Sequence, residues 1–297
     1  METLWVGLAL AAGSLQVVRN GASKTLIGTL SLQGVNLVRF LYALPFAAGA
    51  MLLLLLSGYG PGDPGTSGVA LALAAGAAQM TGNGFMVALM GRKEFAVAVT
   101  LSKSEAVLAA LIGAAFFAQS LDGTAWTAVL LATFGVLLAS SEKALRGRPD
   151  PGVVAVGIAS GTGYALSFLF AARALALHEG GHPAANVAQV LLIMLAFQVA
   201  ALGGWLWFRN REDFREMGRK KKTVWTVGAS GAAATMAWFG ACLYAPVALV
   251  KTVGQVEFLI AAAVSWWLFR ERPGRAGLLG MGLLLAGIVL LLLGEGG

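Results

Sequence analysis

The chain has 297 residues, of which 58% are hydrophobic and only 12% charged, with a formal net charge of +7 and a mean hydropathy of +0.78. A soluble domain carries about 25% charged residues, and no globule of this length has an interior large enough to hide so much apolar side chain. These figures exclude a cytosolic enzyme, a disordered chain and a nucleic-acid-binding domain, and they leave an integral membrane protein. A single cysteine, Cys242, excludes an intrachain disulfide framework, and two histidines, His178 and His182, restrict any histidine-based metal site.

A membrane helix needs roughly 20 predominantly apolar residues to cross the hydrocarbon core. Glycine, proline and charge clusters divide the chain into ten such runs, at about 3–22, 32–56, 67–90, 95–118, 124–141, 152–174, 185–208, 223–244, 247–269 and 276–294. The first run follows no basic n-region and no cleavage site, so it reads as a retained span. Breakers mark several joints: the glycine- and proline-rich stretch Gly58–Gly65 after the second span, Arg148-Pro149-Asp150-Pro151-Gly152 after the fifth, and Pro246 between the eighth and ninth. Trp5, Trp126, Trp205, Trp207, Trp225, Trp266 and Trp267 fall near span ends, where an amphipathic ring sits at the membrane interface, while Trp238 falls mid-span.

Sixteen of the 21 basic residues lie in the connections after odd-numbered spans, in positions such as Lys24, Arg92, Lys93, Lys143, Arg146, Arg148, Arg270, Arg272 and Arg275 and in the run Arg209–Lys222. The positive-inside rule puts these connections in the cytoplasm and both termini outside, in a cytoplasmic (inner) membrane. Glu212, Asp213 and Glu216 are interleaved in the Arg209–Lys222 run, which therefore reads as an anchor on anionic lipid headgroups and not as a nucleic-acid segment.

An offset of 152 residues lays Glu105 on Glu257, Gln119 on Glu271 and Gly135 on Gly287; an offset near 150 lays Gly7, Gly13 and Ala22 on Gly157, Gly163 and Ala172. The chain is thus expected to be all-α, with ten transmembrane helices in two five-helix inverted repeats, residues 1–145 and 146–297. Five is odd, so the second copy enters the membrane from the opposite side. With both halves in one chain, a monomer is expected to function, and a dimer is compatible. The pair Gly157 and Gly161 has the spacing of closely packed helices.

Charge within a span costs about 2.5–3.5 kcal/mol at the membrane centre, so it marks function or internal pairing. Arg19 and Arg173 lie near span ends, where such side chains snorkel. Glu105 and Glu257 lie mid-span, each three residues after a small residue, Ser102 or Gly254. Lys251 and Gln255 stand one turn apart, whereas Lys103 stands about 200° around a helix from Glu105. Two readings are open: an ion pair such as Lys103 with Glu257 that braces the bundle, or a polar cavity at which these groups meet solute. Two lysines and two glutamates balance in charge, which suits a zwitterion such as an amino acid; a desolvated carboxylate also suits proton coupling. Trp238, with Phe239 and Tyr244, and the polar side chains Gln79, Thr81 and Asn83 are further candidates for a cavity wall; Arg39 is either a clamp on backbone carbonyls or a solute contact. No Walker A sequence is present, and no cofactor is expected. One motif points elsewhere: His178-Glu179-Gly180-Gly181-His182 spells the zinc-hydrolase word H-E-x-x-H, but that chemistry needs a helix, which Gly180, Gly181 and Pro183 oppose.

The words Asn36-Leu37-Val38-Arg39-Phe40-Leu41-Tyr42-Ala43 and Phe269-Arg270-Glu271-Arg272-Pro273, followed by Gly280 and Gly287, resemble the drug/metabolite transporter superfamily in its EamA-type ten-helix branch. In the fourth span Lys103-Ser104-Glu105 stands where that family often has a proline. The resemblance implies a carrier that exports or exchanges small metabolites, and no enzyme. The resulting expectation is alternating-access transport of a small polar, zwitterionic solute, by exchange or coupled to protons. Glu105, Glu257, Lys103 and Lys251 are expected at its centre, with Gln255, Trp238, Asn83 and Arg39 around them. The alternatives are a proton-coupled exporter of cationic drugs, a lipid flippase, and a membrane-embedded zinc hydrolase built on His178, Glu179 and His182.

Overall fold

The computed structural model describes residues 4–88, 101–144, 150–269 and 274–294. The sequence words at Arg92, Lys93, Arg146, Arg148, Arg270, Glu271, Arg272 and Pro273 lie outside the described residues, as does the first part of the fourth predicted span.

Apolar runs become helices because lipid offers the backbone no hydrogen-bond partner. In chain order these are α1 (Leu4–Lys24), α2 (Leu32–Leu41), α3 (Leu44–Leu56), α4 (Gly65–Ala88), α5 (Glu105–Phe116), α6 (Gly123–Ala144), α7 (Pro151–Ala176), α8 (Pro183–Gln198), a π-helical turn at Val199–Gly203, α9 (Gly204–Arg209), α10 (Glu212–Arg219), α11 (Lys221–Ala241), α12 (Val247–Gly254), α13 (Val256–Phe269) and α14 (Arg275–Gly294). Among the described residues five stretches are long and apolar enough to cross a membrane: Leu32–Leu56, Gly123–Ser140, Pro151–Ala176, Pro183–Arg209 and Arg275–Gly294. Side-chain caps fix several starts. Ser31 accepts from Gly34 N at the head of α2, and Asp150 accepts from Gly152 N at the head of α7, where Pro151 has no N–H and needs no acceptor.

Two predicted spans are interrupted. The run 32–56 breaks at Tyr42-Ala43, because Pro45 has no N–H to donate back to Leu41. The run 247–269 breaks at Gln255, which joins α12 to α13. A third turn, at Lys103-Ser104, precedes α5.

Small residues set the helix contacts. Helix α6 lies against α14 with Gly135 at the Gly280 carbonyl and Gly287 at the Ala128 carbonyl, so no side chain fits between the backbones. Helices α4 and α7 cross at Gly82 and Gly163, where Ser160 Oγ donates to the Gly82 carbonyl at 2.8 Å. Gly161 faces the Ser102 carbonyl. Helix α1 runs along α11, α4 along α8, and α5 against α12. Trp205, Trp207 and Trp225 are exposed near helix ends as predicted, but Trp5 is buried in the core.

The connections are more ordered than the sequence suggested. Asp213 of α10 is buried; it accepts from Ser31 N at 2.8 Å and from the Ser31 hydroxyl, which fastens the basic connection to the head of α2. The basic side chains Arg209, Arg211, Arg215, Arg219 and Lys220–Lys222 are exposed around it. In other connections, β1 (Pro61–Asp63) pairs antiparallel with β2 (Glu179–Gly181), with Pro61 opposite Gly181 and Asp63 opposite Glu179. This strand overturns the zinc-hydrolase reading. Gly180 and Gly181 take φ of 73° and 77°, which no helix accommodates. Nor do the histidines converge on a metal. The His178 ring sits between the Ala174 carbonyl and the Gln189 amide, while His182 caps α8 and packs on Tyr59. Among the described residues no three potential ligands gather.

Asn186 ties the strand pair to α8. Its Oδ1 accepts from Gly62 N at 2.8 Å, and its Nδ2 donates to the Gly180 carbonyl at 3.1 Å. Asn186→Ala is expected to cost about 1–3 kcal/mol, because it orphans both groups. Thermal unfolding in detergent measures this; an unchanged Tm would show that the strand pair needs no tie.

Candidate functional site

A cavity of about 570 Å³ enters the bundle. Its mouth holds Lys24 and Ile27, exposed beside the end of α1, and its walls come from α1, α2, α4, the head of α5, α7, α8, α11 and α12. Leu191, Leu195 and Phe40 give it apolar sides, and polar groups converge at depth.

The two helix breaks build the deepest part. The turn at Lys103-Ser104 ends helical periodicity just before Glu105, so Lys103 and Glu105 both line the cavity. This corrects the expectation that their 200° separation keeps them apart. The side chains pair crosswise with the other break: Lys103 Nζ contacts the Glu257 carboxylate, and Lys251 Nζ stands 3.5 Å from Glu105 Oε1. Lys251 and Glu257 are almost fully buried. A buried charge of this kind persists only when paired and hydrogen-bonded. Glu257 meets the second condition through Gln16, whose Nε2 donates to Oε2 at 2.5 Å, and Trp238 Nε1 donates in turn to Gln16 Oε1 at 3.3 Å. Lys251 Nζ lies 3.4 Å from the Phe168 ring centroid and 4.4 Å from that of Trp238, so two aromatic faces supply the rest of its solvation.

A second polar group lies nearer the mouth. Arg39 donates to Asn83 Oδ1 at 2.8 Å and to Asn20 Oδ1 at 2.9 Å, and the Tyr164 hydroxyl donates to the same Asn83 oxygen. Arg19 faces this cavity as well, so the reading of Arg19 as a snorkelling side chain is corrected: its position near a span end coincides with the open cavity and not with lipid.

Of the residues singled out in the sequence, Glu105, Lys103, Lys251, Trp238, Asn83 and Arg39 line the cavity, and Glu257 stands behind Lys103. Gln255 does not reach it. Gln255 still stands one turn from Lys251, its N–H donating to the Lys251 carbonyl at 3.2 Å at the end of α12, but its side chain turns elsewhere: Nε2 lies 3.4 Å from Thr133 Oγ1 and 3.5 Å from the Lys103 carbonyl, bracing the two breaks. Gln79 lines the cavity, while Thr81 turns outward and bonds the Ala77 carbonyl. Phe239 packs behind Phe168, and Tyr244 is exposed beyond the helix end. Sequence reasoning missed Gln16, Tyr164 and Phe168. A lone glutamine in the middle of an apolar first span was the available signal for Gln16.

Residues 151–293, from α7 to the end of α14, match the EamA-like transporter family. No curated protein matches the chain. A crystal structure of a protein chain has the same fold, with a TM-score of 0.70 over 99% of this chain and 97% of the other at 14% identity. The family consists of membrane transporters of small molecules and not of enzymes, which agrees with the apolar helices of a multi-pass membrane protein. The EamA-like unit at 151–293 places this chain in the drug/metabolite transporter superfamily.

Proposed function

We propose that the protein carries a small zwitterionic, amino-acid-like solute across the cytoplasmic membrane by alternating access. The observation that carries this reading is the crossed pair of salt bridges at the inner end of the cavity, Lys103–Glu257 and Lys251–Glu105. Their charges cancel, so a zwitterion, itself neutral overall, can enter without changing the net charge of the site. A cationic drug would need an unpaired glutamate, and both glutamates are engaged. Each bridge also joins residues from the two halves, 1–145 and 146–297, so opening one couples solute to the relation between halves.

The helix pairing supports ten spans in two inverted repeats. The third predicted span (α4) lies on the sixth (α7), and the first (α1) lies on the eighth (α11), as a two-fold relation between five-helix units requires. The breaks before Glu105 and Glu257, 152 residues apart, are a second sign of that relation. By the positive-inside rule the mouth at Lys24 faces the cytoplasm. Exchange and proton coupling both remain readings of the same site, since a carboxylate released by its lysine can take up a proton.

The test is a thermal-shift screen of the purified protein against amino acids, nucleosides, organic phosphates and quaternary ammonium compounds. Flux of the binders in proteoliposomes, with and without a pH gradient, follows. An amino acid is expected to raise the Tm of the wild type by mass action and to exchange across the membrane, and Glu257→Gln is expected to abolish both. Stabilisation by lipophilic cations alone would replace this reading with that of a cation exporter.

A further inference from the structure

The salt bridges leave two cations of the cavity unaccounted for. Arg19 and Arg39 both line it, one from α1 and one from α2, and neither forms an ion pair with any described residue. The partners of Arg39 are the neutral amides of Asn83 and Asn20, and its Nε has none. The Nε of Arg19 is likewise buried without a partner, and its guanidinium makes no hydrogen bond to any described residue. A cation held in a membrane-embedded wall without a counter-ion is costly, and proteins keep such charges where a ligand or an ion pathway uses them. A guanidinium is also weakly hydrated and always charged, and its planar fork fits the two oxygens of a carboxylate.

We propose that Arg19 and Arg39 form the acid-binding end of the cavity, the subsite that takes the carboxylate of the transported solute. The inference rests on the carrier reading and deepens it. Arg19 follows Gln16 by three residues on α1, so it stands about one helical turn nearer the mouth than the Gln16–Glu257 contact. A solute whose carboxylate lies between the arginines extends its opposite end toward Glu105 and the Trp238 ring. That ring and the Glu105 carboxylate, 3.5 Å from Lys251 and released as the bridge lengthens, suit an ammonium group. Asn83 has the supporting role: its Oδ1 accepts from Arg39 and from Tyr164, which holds the Arg39 fork open toward the cavity.

The experiment uses the full chain in detergent and measures Tm shift and affinity with the standard amino acids, each beside its amide and its decarboxylated amine. Acids are expected to bind the wild type while the matched amides and amines do not. Arg19→Gln is the clean variant, because Arg19 makes no hydrogen bond to a described residue whose loss would disturb the fold. It is expected to keep the unliganded Tm and to weaken acid binding roughly tenfold to a hundredfold, the usual effect of one charged hydrogen bond. Arg39→Gln releases Asn83 and Asn20, so Arg39→Lys accompanies it: the lysine keeps the charge, loses the fork and is expected to bind between wild type and Arg39→Gln. The proposal is overturned if amides or amines bind as tightly as the acids, or if Arg19→Gln binds acids as the wild type does. In either case Glu257-dependent flux of those solutes leaves the carrier reading standing. If no member of the panel binds, the acid subsite and the amino-acid-like solute fall together.

Discussion

Glu257→Ala is expected to lower the unfolding free energy by about 3–5 kcal/mol, the range for a buried ion pair that loses one partner. The size follows from what is left behind. Lys103 keeps its charge in a wall where Glu257 was its direct partner, and Gln16 loses the acceptor at 2.5 Å that holds it under Trp238. Replacing both partners by apolar residues of similar volume, Lys103→Met with Glu257→Leu, removes the stranded charge. The double variant is therefore expected to recover most of the stability, since such exchanges are often neutral or stabilising. It is not expected to recover transport, because neither residue can then exchange its partner for a solute or a proton. Unfolding in detergent and flux in proteoliposomes, measured on the same preparations, separate the two roles. Wild-type flux in the stable double variant would reduce the Lys103–Glu257 bridge to a brace.

The sequence disclosed the parts of the fold that lipid dictates. A run of about 20 apolar residues has few alternatives to a helix in a membrane, so the predicted spans and the described helices coincide closely. The interruptions within spans were harder to see. At Tyr42-Ala43 the cause, Pro45, was visible in the sequence, but the breaks at Lys103-Ser104 and Gln255 contain no proline, and they are held by distant groups such as the Gln255 contact with the Lys103 carbonyl. Missing them gave the wrong angular relation for Lys103 and Glu105, and it hid the direction of the Gln255 side chain, although Gln255 does stand one turn from Lys251. The intramembrane charges were legible as a set, because each is expensive wherever it points. Their partners were only partly so: Lys103 with Glu257 was one open reading, while the Lys251–Glu105 bridge spans 146 positions and depends on how the helices cross. Arg19 failed for a related reason. Depth along a helix shows distance from the membrane surface but not whether that level faces lipid or a cavity. The H-E-x-x-H word was discounted on the residues that decide it: its letters are present, but its backbone, set by Gly180 and Gly181, is a strand.

The second large effect is expected at Gly254, where α12 ends. The outer atoms of the Trp238 ring, Cη2 with Cζ3 and Cζ2, lie against this residue, and a Cβ placed there would occupy the ring's own volume. Space cannot be found on the other side either, because the Gly254 carbonyl already sits against Gly13 of α1. Gly254→Ala must therefore displace the indole or the backbone turn, at a cost of about 1–3 kcal/mol for an overpacked core. The displacement reaches the site directly: the same ring stands 4.4 Å from Lys251 Nζ and donates to Gln16, which holds Glu257. Transport is accordingly expected to fall more than tenfold, a larger loss than the stability change alone would produce. Trp238→Phe combined with Gly254→Ala makes room for the methyl, so the cycle of single and double variants should show a favourable coupling in stability of at least about 0.5 kcal/mol. It should not restore transport, because phenylalanine has no N–H for Gln16. Gly21→Ala on α1 is the control: nothing lies within 4 Å of its added methyl, and alanine is the better helix former by up to about 1 kcal/mol, so that variant should be neutral or slightly more stable. Additive stabilities in the Gly254 cycle would mean that the ring and the turn do not press on one another, and that Trp238 owes its place in the site to something other than the small residue beneath it.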